Sequence, residues 1–204
     1  MAKQDWRPGN MLYPLPVVLV SVADREGNPN LFTVGWTGTI CSDPAMVSIS
    51  VRPSRYSYHM IEETGEFVIN LTTEELAYAT DYCGVRSGRD EDKWKSVNLT
   101  PVTGTKVKAP YVLECPVNIE CKVMQKISLG THDMFLATVE MVHVSTEYMD
   151  EKERFHLEQA KPIVYSHGTY FGLGREIGTF GYSVRKEKTA KKSPKKKNSA
   201  QKKK

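Results

Sequence analysis

The chain predicts a mainly β protein, a barrel of antiparallel strands with a few short helices, and three observations carry that reading. At least six segments are rich in β-branched and aromatic residues and bounded by Gly, Pro, Asn or Asp. The helical patterns between them are short. The connections suit antiparallel pairing, whereas a doubly wound parallel sheet needs a crossover helix after each strand.

Taken in order, LPVVLVSVAD (Leu15 to Asp24) reads as a strand that runs into a turn at Gly27, Asn28, Pro29 and Asn30. LFTVGWTGTI (Leu31 to Ile40) follows as its hairpin partner. AMVSISV (Ala45 to Val51) alternates Met46, Ser48 and Ser50 with Val47, Ile49 and Val51, the period of a half-buried strand. Ser54 then has the place of a helix N-cap, His59 to Glu63 continue that helix, and Gly65 stands where a left-handed C-terminal stop is expected. GEFVINL (Gly65 to Leu71) is the next strand. Thr72 and Glu75 have capping-box spacing ahead of a helix through Leu76 and Tyr82. Cys83 to Pro101 predicts a loop with a short helix around Asp92 to Ser96. Two long strands, VLECPVNIECKVMQKISLG and DMFLATVEMVHVS, meet at Gly130, Thr131 and His132. Asp150 to Gln159 has a charged, helix-like pattern, and KPIVYSHGTYFGLGREIGTFGYSV closes the folded part.

The 204 residues suffice for one sizeable core, so residues 1–184 are expected to form a single domain. No long apolar run predicts a membrane span, and MAKQDWRPGN is too polar for a secretory segment, which points to a cytoplasmic protein. Cys41, Cys83, Cys115 and Cys121 show no C-x-x-C spacing and read as small buried hydrophobes, with Cys115 and Cys121 able to share one face. The net charge of +4 conceals two regions. From Arg185 to Lys204 there are 11 Lys and Arg against one Glu, a net +10, while the other 184 residues carry 17 basic and 23 acidic groups, a net −6. The lysine-rich tail 185–204 has no apolar residue beyond alanine and is expected to be disordered. Such a tail can adhere to nucleic acid by counterion release, but without aromatics or a folded basic groove it argues against specific recognition.

The segment RPSRYSYHMIEETGEFVINL (Arg52 to Leu71) carries the strongest chemical signal. Two arginines and three hydroxyls stand between a strand end and a helix start, where free backbone N–H groups and the helix dipole favour an anion such as phosphate. A solvated surface helix is the competing reading of this segment. GLGREIG (Gly172 to Gly178) has its third glycine one residue late for a dinucleotide fingerprint, and Walker A, G-x-S-x-G and H-E-x-x-H motifs are absent. His59, His132, His143, His156 and His167 have no metal-ligand spacing.

Three segments together resemble the flavin reductase-like, FMN-binding split-barrel family, and within it the flavoredoxin-like branch. They are NLFTVGWTGTICSDPAMVSISVRPSRYSYHMIEETGEFVINL (Asn30 to Leu71), CGVRSGRDEDKW (Cys83 to Trp94) and LGTHDMFLATVEMV (Leu129 to Val142), within a match over residues 10 to 182. The resemblance implies a Greek-key split β-barrel, a homodimer, and FMN held non-covalently near the subunit interface. It further implies that Thr33, Val34, Gly35, Trp36 and Thr37 line the flavin ring, and that Ser50 and Arg52 face the ribityl chain. Arg52, Ser54, Arg55, Tyr56 and Ser57 would surround the phosphate, and Ser87, Gly88, Arg89 and Lys93 would close over the cofactor. Trp36 also reads as a core aromatic, and Arg89 and Lys93 as a solvated cluster with Asp90, Glu91 and Asp92. His132 stands where a G-x-H element approaches the ring as a candidate catalytic residue; as a lone histidine between two strands it equally reads as a turn residue.

The expected chemistry is electron transfer between a donor, NAD(P)H or a redox protein partner, and an acceptor, as an FMN-dependent oxidoreductase. Two alternatives stand beside it: a reductase component that supplies reduced flavin to an oxygenase, and a non-enzymatic binding protein with a nucleic-acid-adhesive tail.

Overall fold

A computed structural model describes residues 1–185. The tail from Lys186 to Lys204, and with it the expectation of disorder there, lies outside the described residues. Among them are twelve strands and three α-helices: β1 (Leu15–Pro16), β2 (Val18–Ala23), β3 (Pro29–Val34), β4 (Thr37–Ser42), β5 (Ala45–Val51), α1 (Tyr56–Thr64), β6 (Glu66–Leu71), α2 (Ala77–Val85), α3 (Lys93–Ser96), β7 (Pro101–Val102), β8 (Tyr111–Val112), β9 (Val117–Ser128), β10 (Asp133–Val144), β11 (Ile163–Ser166) and β12 (Thr169–Gly172). This is the expected mainly β architecture. The compact unit covers Met1–Leu173; from Gly174 on, the described chain holds one short turn of helix at Tyr182–Val184.

Seven strands form one antiparallel sheet in the order β3-β2-β6-β9-β10-β5-β4. Its two edge strands, β3 and β4, are consecutive in the chain. The run Leu31 to Ile40, expected as one strand, is therefore interrupted at Gly35 and Trp36, where the chain crosses the split of the barrel. A backbone bond from Ser50 N–H to Trp36 C=O (2.9 Å) fixes that crossing against β5. A second sheet, β1-β11-β12, carries Tyr13, Tyr165 and Tyr170 beside it.

β2 is buried along its whole length because it has a core on each face. Val18, Val20 and Val22 enter the main cluster with Phe32, Ile49, Phe67 and Phe135. Leu19 enters a second cluster with Leu31, Ala79, Cys83, Trp94 and Cys115, under α2 and α3. Cys121 lies in the first cluster, so it and Cys115 are separated rather than sharing a face. Cys41 is only half-buried, against the expectation of burial; the other three cysteines are buried.

Two buried polar networks pin the loop before β9. Asn70 and Asn118 bond each other (2.8 Å) and the N–H and C=O of Val112 (2.9 and 2.8 Å). Burial alone would raise the Glu120 carboxyl, but His143 Nε2 (2.6 Å) and the N–H groups of Thr105, Lys106 and Val107 outweigh it and hold its pKa at about 2.

Local signals failed in three places. Ser54 does not cap α1: the N-cap residue is Arg55, with no side-chain cap bond. Thr72 does not open a capping box, since its hydroxyl donates to Val17 C=O (2.7 Å) and α2 starts only at Ala77. Asp150 to Gln159 is not a helix. The Asp150 carboxylate takes the N–H groups of Lys152 and Arg154 (2.8 and 3.0 Å) in a local turn, and only Leu157–Ala160 forms a 3₁₀ turn. Gly65 does stop α1, at φ 68°, with its N–H on Ile61 C=O (2.8 Å).

Candidate functional site

β5 delivers its end directly to α1, so Ser50, Val51 and Arg52 arrive beside Arg55, Tyr56 and Ser57. Two contiguous cavities open there and share Phe32, Arg52 and Arg55. The first, about 390 Å³, has an apolar floor of Val17, Phe32, Val34 and Val51 and the chain crossing at Thr33 to Trp36 along one side. Both strand ladders stop short of Gly35 and Trp36, so their N–H groups stay outside the sheet, in the lining of the cavity. The outer wall is Tyr13, Tyr165 and Tyr170, with Tyr165 and Tyr170 ring centroids 5.6 Å apart. Tyr170 donates to Asp81 on α2 (3.0 Å), and burial with that bond pushes its hydroxyl up to about 12.

At the mouth, the Trp36 and His132 rings lie 4.5 Å apart. Arg52 Nε donates to His132 Nε2 (3.4 Å), which assigns the proton to Nδ1, 2.9 Å from the Thr131 hydroxyl. Burial, and then the charges of Arg52 and Arg55, hold the His132 pKa below its ordinary value, so the ring is neutral near pH 7.

The second cavity, about 330 Å³, is lined by five cations, Arg52, Arg55, Arg86, Arg89 and Lys93, and by no carboxylate. Lys93 is the most informative. Its side chain is buried at the C-terminal end of α2, and Nζ donates to Cys83 C=O and Arg86 C=O, both at 3.2 Å. Burial lowers its pKa, and it makes no ion pair with any carboxylate among the described residues. A buried ammonium held by two carbonyls and left without a counter-ion is a site prepared for an anion. Arg55 Nη1 donates to Gly84 C=O (3.1 Å), so α1 and α2 are bridged over the cavity. Ser57 is buried, and its hydroxyl accepts from Asn30 Nδ2 (2.7 Å). An added Cβ at Gly88 would lie 2.9 Å from the Tyr56 ring and closer still to Asn30, so a larger residue there would displace those side chains. Cys83, which also lines this cavity, is pushed up to about 11 by burial and stays an inert thiol.

Of the residues read from the sequence, Thr33, Val34, Gly35, Trp36, Ser50, Arg52, Arg55 and His132 meet in the first cavity. Arg52, Ser54, Arg55, Tyr56, Ser57, Ser87, Gly88, Arg89 and Lys93 meet in the second. Trp36 is 38% exposed and thus a wall residue, not a core aromatic. The Thr33 hydroxyl donates to Thr80 C=O, which ties β3 to α2. Thr37 is outside both cavities: its hydroxyl donates to Ser48 C=O (2.8 Å), and it faces a groove formed with Gly9 to Leu12. Tyr13, Asp81, Arg86, Tyr165 and Tyr170 were missed. Arg86 adjoins the recognised loop; the others come from distant segments with no local signal.

A slot that offers unpaired backbone N–H groups to a planar, hydrogen-bonding ring, joined to a cationic cavity, fits a ring system carrying a phosphate. No group of three or more metal-ligating side chains occurs among the described residues, and none of their helices is long and apolar enough to cross a membrane.

Known proteins share this fold. The solved flavoredoxin of Desulfovibrio vulgaris (Miyazaki F) superposes with a TM-score of 0.84 at 30% identity, over 90% of this chain and 100% of that one. The flavoredoxin of Methanosarcina acetivorans gives 0.80 at 26%, with the same coverage. An uncharacterized protein of Archaeoglobus fulgidus is 36% identical over 134 residues, 66% of this chain and 73% of its own. The family model for the flavin reductase like domain matches residues 10–174, and the chain belongs to that family.

Proposed function

We propose that the protein holds FMN without a covalent bond and passes electrons between a donor and an acceptor. The observation that carries this reading is the continuity of the ring-sized cavity with the five-cation cavity through Arg52 and Arg55. When bound, the flavin supplies the redox chemistry. The Gly35 and Trp36 N–H groups would hold and orient the ring. Arg55, the hydroxyls of Ser54 and Ser57, and the N–H groups that open α1 hold the phosphate. Ser87 to Arg89 cover it, and Lys93 sets the local charge from below. Neutral His132 at the mouth, with its proton on Nδ1, would present Nε2 as an acceptor to a donor's carboxamide amino group.

The proposed donor is NAD(P)H, with a redox protein as the alternative. Exposed Met11, Leu12 and Trp36 line a groove beside the first cavity, and exposed Ile40 lies on the edge strand β4; these apolar surfaces support a homodimer. Four cysteines without a disulfide support a cytoplasmic setting. The test is direct. The purified protein should show a flavin absorption spectrum, and anaerobic mixing with NADH or NADPH should bleach it; a redox-protein donor is assigned if only a reduced carrier does so. A protein that stays colourless and takes up no FMN on titration overturns the reading. Flavin that leaves the protein at each turnover would instead identify a component that supplies reduced flavin to an oxygenase.

A further inference from the structure

His132 stands at the cleft mouth beside an exposed tip, Leu129 to Thr131, that joins β9 to β10. The polar bonds of this turn hold it to itself and to Arg52. Leu129 N–H donates to His132 C=O (2.9 Å), and the Thr131 hydroxyl lies 2.9 Å from His132 Nδ1. The next residue anchors the turn to the body of the protein. Asp133 opens β10 and pairs across the sheet with Ser128 on β9 and Val51 on β5. Because β5 and β10 run antiparallel, that register sets Arg52, one residue after Val51, opposite His132, one residue before Asp133.

The Asp133 carboxylate is buried and lines none of the cavities described. It accepts from the hydroxyl of Tyr58, itself buried on the first turn of α1, next to Ser57 of the second cavity. Lys126 Nζ donates to the same Tyr58 oxygen (3.4 Å), which directs the tyrosine proton to Asp133. The Tyr58 bond holds the Asp133 carboxyl below its usual range, against the opposing effect of burial. The Tyr58 ring packs on Phe135, two residues along β10, with centroids 5.5 Å apart. An apolar side chain would fill the Asp133 position without the cost of burying a carboxylate. What the pair adds is a polar link between α1, whose start borders the cationic cavity, and the turn that carries His132.

We propose that Tyr58 and Asp133 are positioning residues for His132: their buried hydrogen bond ties the β9–β10 turn to α1 and so fixes the imidazole at the cleft mouth. They touch neither flavin nor donor and act through His132. A reacting group needs placement to within about 0.5 Å, which packing and hydrogen bonds from behind it supply. The inference rests on the flavin reading above and extends it to residues outside the cleft.

Tyr58→Phe is the primary test, because it deletes the hydroxyl and keeps the ring against Phe135. In the flavin-free protein, the His132 ring nitrogens are expected to shift in a histidine-resolved NMR spectrum, while those of His143, His156 and His167 stay in place. In the FMN-loaded protein, anaerobic reduction by NADH or NADPH is expected to slow at least about tenfold, since small misplacements of a reacting group carry losses of that order. FMN affinity is expected to stay within about threefold, as no group that holds the phosphate is removed. Asp133→Asn is expected to keep most of the wild-type rate, because its amide oxygen still accepts from Tyr58, whereas Asp133→Ala loses as much as Tyr58→Phe. In a His132→Ala background, Tyr58→Phe is expected to add no further loss. A melting curve for each variant checks that it folds. Unmoved His132 signals, an unchanged rate, or a full additional loss in the His132→Ala background overturns the inference while the FMN reading stands. An Asp133→Asn variant no better than Asp133→Ala does the same. A protein that takes up no FMN overturns the flavin reading, and the His132 signals of the flavin-free protein then decide the positioning role by themselves.

Discussion

All five cations of the second cavity come from two short runs, residues 52–55 between β5 and α1 and residues 86–93 from the end of α2 to the first residue of α3. The ring cavity instead draws on stretches from Tyr13 to Tyr170: the N-terminal segment, β3 and its crossing, β5, α2, the His132 turn and the β11–β12 hairpin. The first is a local device, in which charge and helix geometry act within one connection. The second exists only when the barrel has closed and its second sheet has docked. Binding energy should therefore concentrate in the local device, and selectivity for the reacting partner in the assembled one.

The sharpest test of that division is to remove the phosphate. Charge-assisted hydrogen bonds contribute ~1.5–3 kcal/mol each, and the cavity offers several. Riboflavin is therefore expected to bind at least about 100-fold more weakly than FMN, since two such bonds already exceed ~2.7 kcal/mol. Equal affinities in a fluorescence titration would break the comparison outright.

Removing one cation has a smaller effect. Arg55→Ala is expected to weaken FMN roughly 10- to 100-fold, the loss of one charged hydrogen-bonding group. It leaves the melting temperature within a few degrees, because Arg55 is exposed and lies outside the core clusters. Wild-type affinity in this variant would move the anion to Arg89 and Lys93.

In the ring cavity, Trp36→Ala removes an apolar wall but leaves the backbone N–H groups in place. Its ring is 38% exposed, so the affinity loss is expected to stay within about tenfold. The rate of reduction by NADH is expected to fall further than the affinity does. A larger loss of affinity than in Arg55→Ala would reverse the order of the two cavities.

The same contrast explains what was legible in the sequence. Ser54, Arg55, Tyr56 and Ser57 stood out by chemistry and spacing within one connection, whereas Ser87, Gly88, Arg89 and Lys93 came only from the family resemblance; the structure brings both groups to one cavity. Tyr13, Asp81, Tyr165 and Tyr170 did not stand out, because nothing near them in the chain marks a cavity. The barrel followed from strand count and alternation and its split from the family resemblance, but the place where the chain crosses the split did not follow from either. Leu31 to Ile40 has an unbroken strand pattern, and only the opening between the edge strands decides where it is interrupted. The failed helix at Asp150 and the failed cap at Thr72 share one cause. A polar side chain found a nearer or more deeply buried partner than the helix offered.

His132 supplies the finest test, because it belongs to the ring cavity but feels the phosphate cavity through Arg52 and Arg55. Its pKa is held below the ordinary value by burial and by those two cations. The unfolded chain therefore takes up a proton before the folded one as pH falls below the ordinary histidine range. This group's contribution to stability is accordingly complete above that range and declines as pH drops towards the folded pKa. Bound FMN would bring a phosphate that offsets the charges of Arg52 and Arg55, so the His132 pKa is expected to rise on binding. A histidine-resolved NMR titration with and without FMN reads this shift, and Arg52→Gln should produce part of the same rise in the absence of FMN. No change on FMN binding would mean that the two cavities are electrostatically independent. The neutral state of His132 would then be set by burial alone.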